Sequence, residues 1–351
     1  MCKFYSGLLL ALLVLGSGMP VHAATSSQTP SSLHLVTNPL PVSVDIPAGT
    51  KKEIVLKVKN AGENPEKLQV TLMYFTALGE DGKPLLHEFG EDDFTASWVS
   101  FSPSSFDIAP GEWKDVAVTI DLPTSAGFSY YFAVVFSRYQ DVNTPVEPGQ
   151  NKLLGGIASL ILVDTKRTDA VRELALDSFS IGKSVVEYLP AKFNLRLKNV
   201  GNVHVAPHGN IFIKRGTKQV ALIEINPESG SVLPESRRIF VTSWNDGFPL
   251  RKQVVENGAV TRDADGDVVE KIEWNLADAA NFRFGRYTAD LVMTYDNGLK
   301  DVVTERSVTF WVLPWKLMTI AVLILALSLF GLISLLRAIV RRLRKKKNTP
   351  L

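Results

Sequence analysis

The chain has 351 residues, 46% hydrophobic and 21% charged, with a formal net charge of +2; that length holds two ordinary domains with accessories. Its one cysteine, Cys2, stands at the extreme N-terminus, so the rest of the chain has no disulfide to staple it and its domains must be held by apolar cores, which about 140 residues each suffice to build. The net charge hides an asymmetry: Lys3 and seven basic residues after Leu336 stand outside all 36 acids, leaving 30 bases against 36 acids in between, a net of −6 that excludes the basic footprint of a nucleic-acid-binding domain.

The opening "MCKFYSGLLLALLVLGSGMPVHAATS" reads as a secretory signal. Lys3 supplies the positive region, Leu8 to Leu15 a short apolar run, and Val21-His22-Ala23 a small-x-small cleavage site. Residues 1–23 are the expected signal peptide, and the polar residues 24–33 are an expected flexible linker.

From there the pattern turns to period two. Ile54, Leu56 and Val58 alternate with Glu53, Lys57 and Lys59, the mark of a half-buried strand. Leu68, Val70, Leu72 and Tyr74 continue it, then Val116, Val118 and Ile120. "GFSYYFAVVFSRY" is aromatic and β-branched, and "GGIASLILVDT" is a near-continuous apolar run, as in a strand buried on both faces. Further on, Phe193, Leu195 and Leu197 alternate, "GNIFIKRG" and "KQVALIEI" form two strands joined at Arg215-Gly216, and Tyr287, Ala289, Leu291 and Met293 share a face expected to pack on an opposite sheet. No segment before residue 315 keeps a helical period, so the fold class is all-β: short strands between Gly, Pro and Asn turns, as in β-sandwiches.

One phrase occurs twice. "IVLKVKNAG" ends at Gly62 and "FNLRLKNVG" at Gly201, each a strand closed by Lys-Asn-x-Gly. Asn and Gly tolerate left-handed backbone angles, which predicts a turn there. "IAPGEWKDVAVTI" answers to "VLPESRRIFVTSW", and "SAGFSYYFAVVFSRY" to "FRFGRYTADLVMTY". Two tandem sandwiches are expected over residues 34–166 and 171–313.

Leu317 to Leu336 is uncharged, and twenty helical residues match a hydrocarbon core of about 30 Å. Trp311, Trp315 and Lys316 precede it as interfacial anchors do, and residues 337–351 carry seven bases and no acid. Residues 317–336 are the expected transmembrane helix and 337–351 a cytoplasmic tail, which puts the sandwiches outside the cytoplasm.

The halves resemble the immunoglobulin-like modules of bacterial surface proteins. The layout of signal, two sandwiches, one membrane helix and basic tail is similar to the WxL-interacting proteins of Gram-positive cell surfaces. "PAGTKKEIVLKVKNAG", "IAPGEWKDVAVTIDLP" and "LLGGIASLILV" carry the likeness; the first two patterns are shared with such modules generally, pilus chaperones included. The resemblance implies a peptidoglycan-binding N-terminal domain and a second domain that binds host components. It brings no residue-level binding motif, so binding residues stay unassigned.

Candidate chemistry is sparse. Asp263, Asp265, Asp267 and Glu270 offer oxygen ligands to calcium, although Trp274 stands where an EF-hand loop needs its bidentate glutamate. The favoured reading is a hairpin turn at Asp265-Gly266, with no metal expected and calcium kept as the alternative. His204 and His208 are four apart, a zinc spacing on a helix, but Pro207 and the flanking Asn-Gly turns make loop histidines of them. There is no G-x-S-x-G elbow or phosphate loop, and neither an enzyme nor a cofactor is expected. Trp98, Phe101, Trp113, Tyr130, Tyr131 and Phe132 are core residues or a glycan or peptide platform, with "ASWVSFSPSSF" reading as a loop beside exposed aromatics. The expectation is a membrane-anchored, non-catalytic binding or scaffolding protein of the cell envelope, with a protein or wall polymer as partner. A tethered chaperone-like assembly factor is the alternative.

Overall fold

The structure is a computed structural model and describes residues 32–139, 155–256, 258–263 and 265–347. The expected signal peptide and nearly all of the expected linker lie outside these residues.

The first sandwich contains β1 (Leu35–Asn38), β2 (Val42–Asp45), β3 (Lys51–Asn60), β4 (Glu66–Leu78), β5 (Lys83–His87), β6 (Val99–Ser102), β7 (Ser105–Ile108), β8 (Trp113–Asp121), β9 (Ser129–Arg138) and β10 (Gly156–Asp164). One sheet runs β1-β3-β8-β6; the other runs β2-β10-β9-β4-β5, with β7 on the first residues of β4. Leu56, Val58, Val116, Val118 and Ile120 from one sheet meet Phe132, Val134, Phe136, Ile161 and Val163 from the other, all at most 1% exposed. Period-two alternation is what places them there.

The second sandwich contains β11 (Leu174–Ile181), β12 (Val185–Val186), β13 (Ala191–Asn199), β14 (His208–Arg215), β15 (Lys218–Ile225), β16 (Arg237–Trp244), the insert strands β17 (Leu250–Gln253), β18 (Val255–Glu256), β19 (Ala259–Val260) and β20 (Glu270–Glu273), then β21 (Gly285–Asp296) and β22 (Asp301–Val312). Its sheets run β11-β13-β16 and β12-β22-β21-β14-β15. Tyr287, Ala289, Leu291 and Met293 pack with Phe193, Leu195, Leu197, Trp244 and Phe310, none above 2% exposed.

Both sandwiches follow one plan. In each, the chain leaves the first sheet and lays a short strand parallel to the last strand of the other: β2 beside β10, and β12 beside β22. The repeated phrase has a sharper cause than a turn. Asn60 and Asn199 are fully buried. The Asn60 amide donates to the carbonyls of Asn64 (2.7 Å) and Ile108 (3.3 Å), and its oxygen accepts from Gly62 N–H at 2.9 Å. Asn199 does the same with Val203, Val232 and Gly201, each at 2.8 Å. The residue is kept because no other side chain donates twice and accepts once in that space. The expected left-handed geometry is absent: neither asparagine nor either glycine has a positive φ. Gly201 is needed for room instead, since a methyl group there would run into the Val171 carbonyl.

One further expectation is corrected. "ASWVSFSPSSF" is no loop: after a short 3-10 helix, Phe94–Trp98, it supplies β6 to one sheet and β7 to the other. One helix, α1, runs unbroken over Trp315–Lys347. Its Trp315–Arg341 portion is long and apolar enough to cross a membrane, and the most apolar stretch within it is not buried by protein.

Candidate functional site

The structure separates the side chains that sequence spacing had grouped. Residues 262, 263 and 265–268 belong to a tight turn: Arg262 pairs with Val268, Gly266 has φ +86°, and the Asp263 N–H donates to the Asp267 carbonyl at 2.9 Å. The Asp263 carboxylate accepts from the N–H groups of Asp265 (3.1 Å) and Asp267 (2.8 Å), while Glu270 faces Arg251 at 3.5 Å. The carboxylates of Asp263 and Glu270 are thus engaged locally; among the described residues no three His, Cys, Asp or Glu side chains gather as a metal would need. His204 and His208 also part company. His208 is exposed on β14, whereas His204 is packed between the sandwiches. Of the aromatic group, Phe132 is core, Tyr130 stacks on it, and Trp98 meets Tyr130 edge-on at 5.2 Å. Trp113 is half exposed beneath the Lys59 ammonium.

What the structure assembles is a cleft between the sandwiches, and its floor comes from strand parity. On β9 and β10 one set of alternate residues enters the first core. The other set, with Phe75 and Met73 of β4, forms a second apolar face: Ala133, Val135, Leu160 and Leu162. That explains why "GGIASLILV" reads as apolar throughout. Leu233, from the turn before β16, lies against this face.

Two sets of contacts hold the sandwiches around the cleft. At one end the His204 ring takes a hydrogen bond with Ser43 (3.1 Å) and meets Tyr131 edge-on at 5.8 Å. Burial holds His204 well below its usual range, at about 4; neighbouring Asp164 and Asp45 push it up, Arg172 and Lys166 push it down. Beside it, Asp164 and Arg172 pair at 2.5 Å, at 7% and 14% side-chain exposure. Burial acts to raise the Asp164 pKa, but the bonds from Arg172 and from Lys166 N–H outweigh it and the net shift is downward. At the other end the β4–β5 turn crosses onto the free edge of β16. There the Ile239 N–H donates to the Glu80 carbonyl at 2.7 Å, and the Glu80 carboxylate pairs with Arg196.

Between these ends is a cavity of about 430 Å³, lined by Leu40, Pro41, Phe75, Leu160 and Leu162 on one side and Gly230, Leu233 and Arg238 on the other. That is the size and polarity of a ligand site. Lys83 and Arg237, also at its margin, are neutralised by Asp81 (2.6 Å) and Asp177 (2.9 Å). Arg238 has no carboxylate within ion-pair distance among the described residues. Its guanidinium donates to the Ser231 carbonyl at 2.8 Å and lies 4.9 Å from the Phe240 ring. Burial lowers its pKa, against the pull of Glu228 and Asp81. Gly82 and Gly230 flank it so closely that a methyl group on either would collide with the guanidinium. The cleft therefore presents an apolar floor and one incompletely neutralised cation, a match for an apolar group carrying an anion.

Sequence reasoning assigned no role to these residues. The available signal was the missing alternation in "LLGGIASLILV", which reported a second covered face without naming what covers it.

No protein-family model matches the chain, and no curated protein matches it. Solved structures give distant overlaps. The class 5 fimbriae chaperone CfaA is 11% identical, with 78% of this chain and 99% of that one covered and a TM-score of 0.33. The E. coli chaperone DraB is 11% identical over 78% and 100%, at 0.32. The Pseudomonas aeruginosa chaperone CupB2 is 10% identical over 78% and 100%, at 0.31. At these values the superpositions register a partial likeness of chain path and nothing of ligand or partner.

Proposed function

We propose that this is a membrane-anchored, extracytoplasmic binding or scaffolding protein of the cell envelope, non-catalytic, that holds a segment of another envelope protein in the cleft between its sandwiches. The observation that carries the reading is Arg238, desolvated and without a carboxylate in ion-pair distance among the described residues, at the wall of an apolar cavity. An apolar side chain of the partner would fill the space over Phe75, Leu160 and Leu162, and a carboxylate would pair with the guanidinium. The anchor is α1, with the basic residues after Leu336 retained in the cytoplasm. A wall polymer fits this cavity less well, because sugar hydroxyls would be buried against an apolar floor.

A tethered chaperone-like assembly factor is the second reading. The cavity favours it in one respect: it is small, so it grips one or two side chains and permits release.

The test is chemical cross-linking of the full-length protein in intact cells, wild type beside Arg238→Met, with adducts identified by mass spectrometry. Methionine keeps the stem and removes the charge. A charge-assisted hydrogen bond contributes about 1.5–3 kcal/mol, so a discrete protein adduct should fall at least tenfold in yield. An adduct pattern unchanged by the substitution would sink the cleft reading.

A further inference from the structure

The second sandwich carries a feature the first lacks. β8 and β9 are joined by residues 122–128, whereas β16 and β21 are joined by residues 245–284, whose described residues include the ladders β17–β20 and β18–β19 and a short 3-10 helix, Leu276–Asn281. Asn275 caps that helix by accepting from the Ala277 N–H.

The base of this insert is fastened to the start of α1. Glu187, at 13% side-chain exposure, faces Arg251 of β17 at 3.8 Å and Lys316 of the first helical turn at 3.3 Å. Phe248 and Phe282 line a narrow crevice with Val312 and Pro314, the residues that lead into α1. Trp274 meets Phe248 edge-on at 5.8 Å. Around this point large apolar side chains face outward: Leu276 at 77% exposure, Trp274 at 51% and Phe282 at 47%, next to Trp311 at 47% and Trp315 at 55%. Single exposed apolar residues are ordinary. Here Trp274 and Phe282, joined through Phe248 to the crevice at Pro314, stand with Trp311 and Trp315 at the head of one apolar helix, and Leu276 follows Trp274 by two residues.

We propose that the insert is a foot that rests in the headgroup layer of the bilayer crossed by α1, with Trp274, Leu276 and Phe282 in the interfacial zone beside Trp311 and Trp315. The inference rests on the reading of α1 as a membrane anchor. The occupant follows from continuity: the bilayer begins where the chain enters it, at Trp315, and these side chains stand at that point. Tryptophan and other amphipathic or apolar groups partition into that layer. Attraction to anionic lipid does not drive the contact, because acids outnumber bases over residues 245–284; zwitterionic lipid is enough. With two attachments instead of one, the sandwich keeps a fixed tilt and the cleft a fixed height above the membrane.

Three single-cysteine variants in a Cys2→Ser background test this: Leu276→Cys in the foot, Leu299→Cys and Leu325→Cys. Leu299, 94% exposed, lies in the β21–β22 turn at the far end of those strands from α1, and Leu325 lies within α1. Each full-length chain is labelled with a polarity-sensitive fluorophore and placed in phosphatidylcholine vesicles with nitroxide lipids at shallow or deep positions. The label at 276 should be quenched by the shallow nitroxide several-fold more than the label at 299, and the label at 325 by the deep one. Quenching at 325 with none at 276 beyond that at 299 overturns the foot and leaves the anchor standing. No lipid quenching at 325 overturns the anchor reading itself. Shielding at 276 that depends on protein density means contact between copies, which also overturns the foot.

Discussion

Asn60 and Asn199 show how one residue type writes a repeat into a sequence. Each side chain is buried and closes three hydrogen bonds between the end of a strand and a neighbouring segment. Alanine at either site removes all three bonds, although the Val232 carbonyl keeps the Val205 N–H, at a cost of about 2–4 kcal/mol in urea unfolding. Aspartate should cost no less, since a carboxylate cannot donate to the two carbonyls. Their companions differ. Gly201→Ala forces backbone apart, whereas a methyl at Gly62 sits 3.2 Å from the Asn60 oxygen and asks for a small shift. Gly201→Ala should therefore lower stability clearly more than Gly62→Ala, and equal losses would refute the steric account. His204 makes a prediction about pH. Its folded pKa is about 4 against 6.5 unfolded, so the unfolded chain takes up the proton first as pH falls. Its contribution is complete above about 6.5 and is lost as pH drops toward 4, by up to about 3 kcal/mol. Asp164, with its lowered pKa, loses its contribution only below the normal carboxylate range. Urea unfolding of the detergent-solubilised chain should show a slope between pH 6.5 and 4 that His204→Gln flattens. An unaltered slope would mean that the ring is not buried between the sandwiches in solution.

At the scale of elements, alternation along the strands was enough to read the all-β class and most core faces. Val116, Val118 and Ile120 and the Tyr287 to Met293 face lie where a period of two puts them. It failed where tertiary contact supplied the missing information. β10 is apolar on both faces because a second sandwich covers one of them, and sequence order does not say which surface that is. "ASWVSFSPSSF" reads as a loop because Pro103 and its serines break the pattern, yet the chain uses that break to pass from one sheet to the other. Arg238 was invisible for a related reason. In the sequence it is one of two arginines heading a strand; only the fold neutralises Arg237 with Asp177 and leaves Arg238 facing the cavity. Gly230→Ala is a test at this scale. The added methyl would stand 2.6 Å from the Arg238 guanidinium and displace it. The variant should weaken partner capture as Arg238→Met does, with the charge still present; full capture would mean that the position of the guanidinium does not matter.

For the whole molecule, two copies of one sandwich plan sit above an apolar helix, and the cleft exists only because they dock. The docking contacts at Asp164–Arg172 and at Glu80 make the cleft part of one unit. Arg172→Ala removes the closest partner of buried Asp164 and leaves it the Lys166 N–H at 2.8 Å and the Lys166 ammonium at 3.8 Å; the loss should stay below the roughly 3–5 kcal/mol of a buried charge with no partner, and partner capture should fall although no cleft residue has been touched. The most direct measurement is photo-cross-linking in intact cells from a photoreactive amino acid at Leu233, inside the cleft, compared with one at Val303, on the exposed face of β22. The account predicts a discrete protein adduct from position 233 that is absent from 303 and lost with Arg238→Met. The same adducts from both positions, or none from 233 at good photolysis yield, would contradict it.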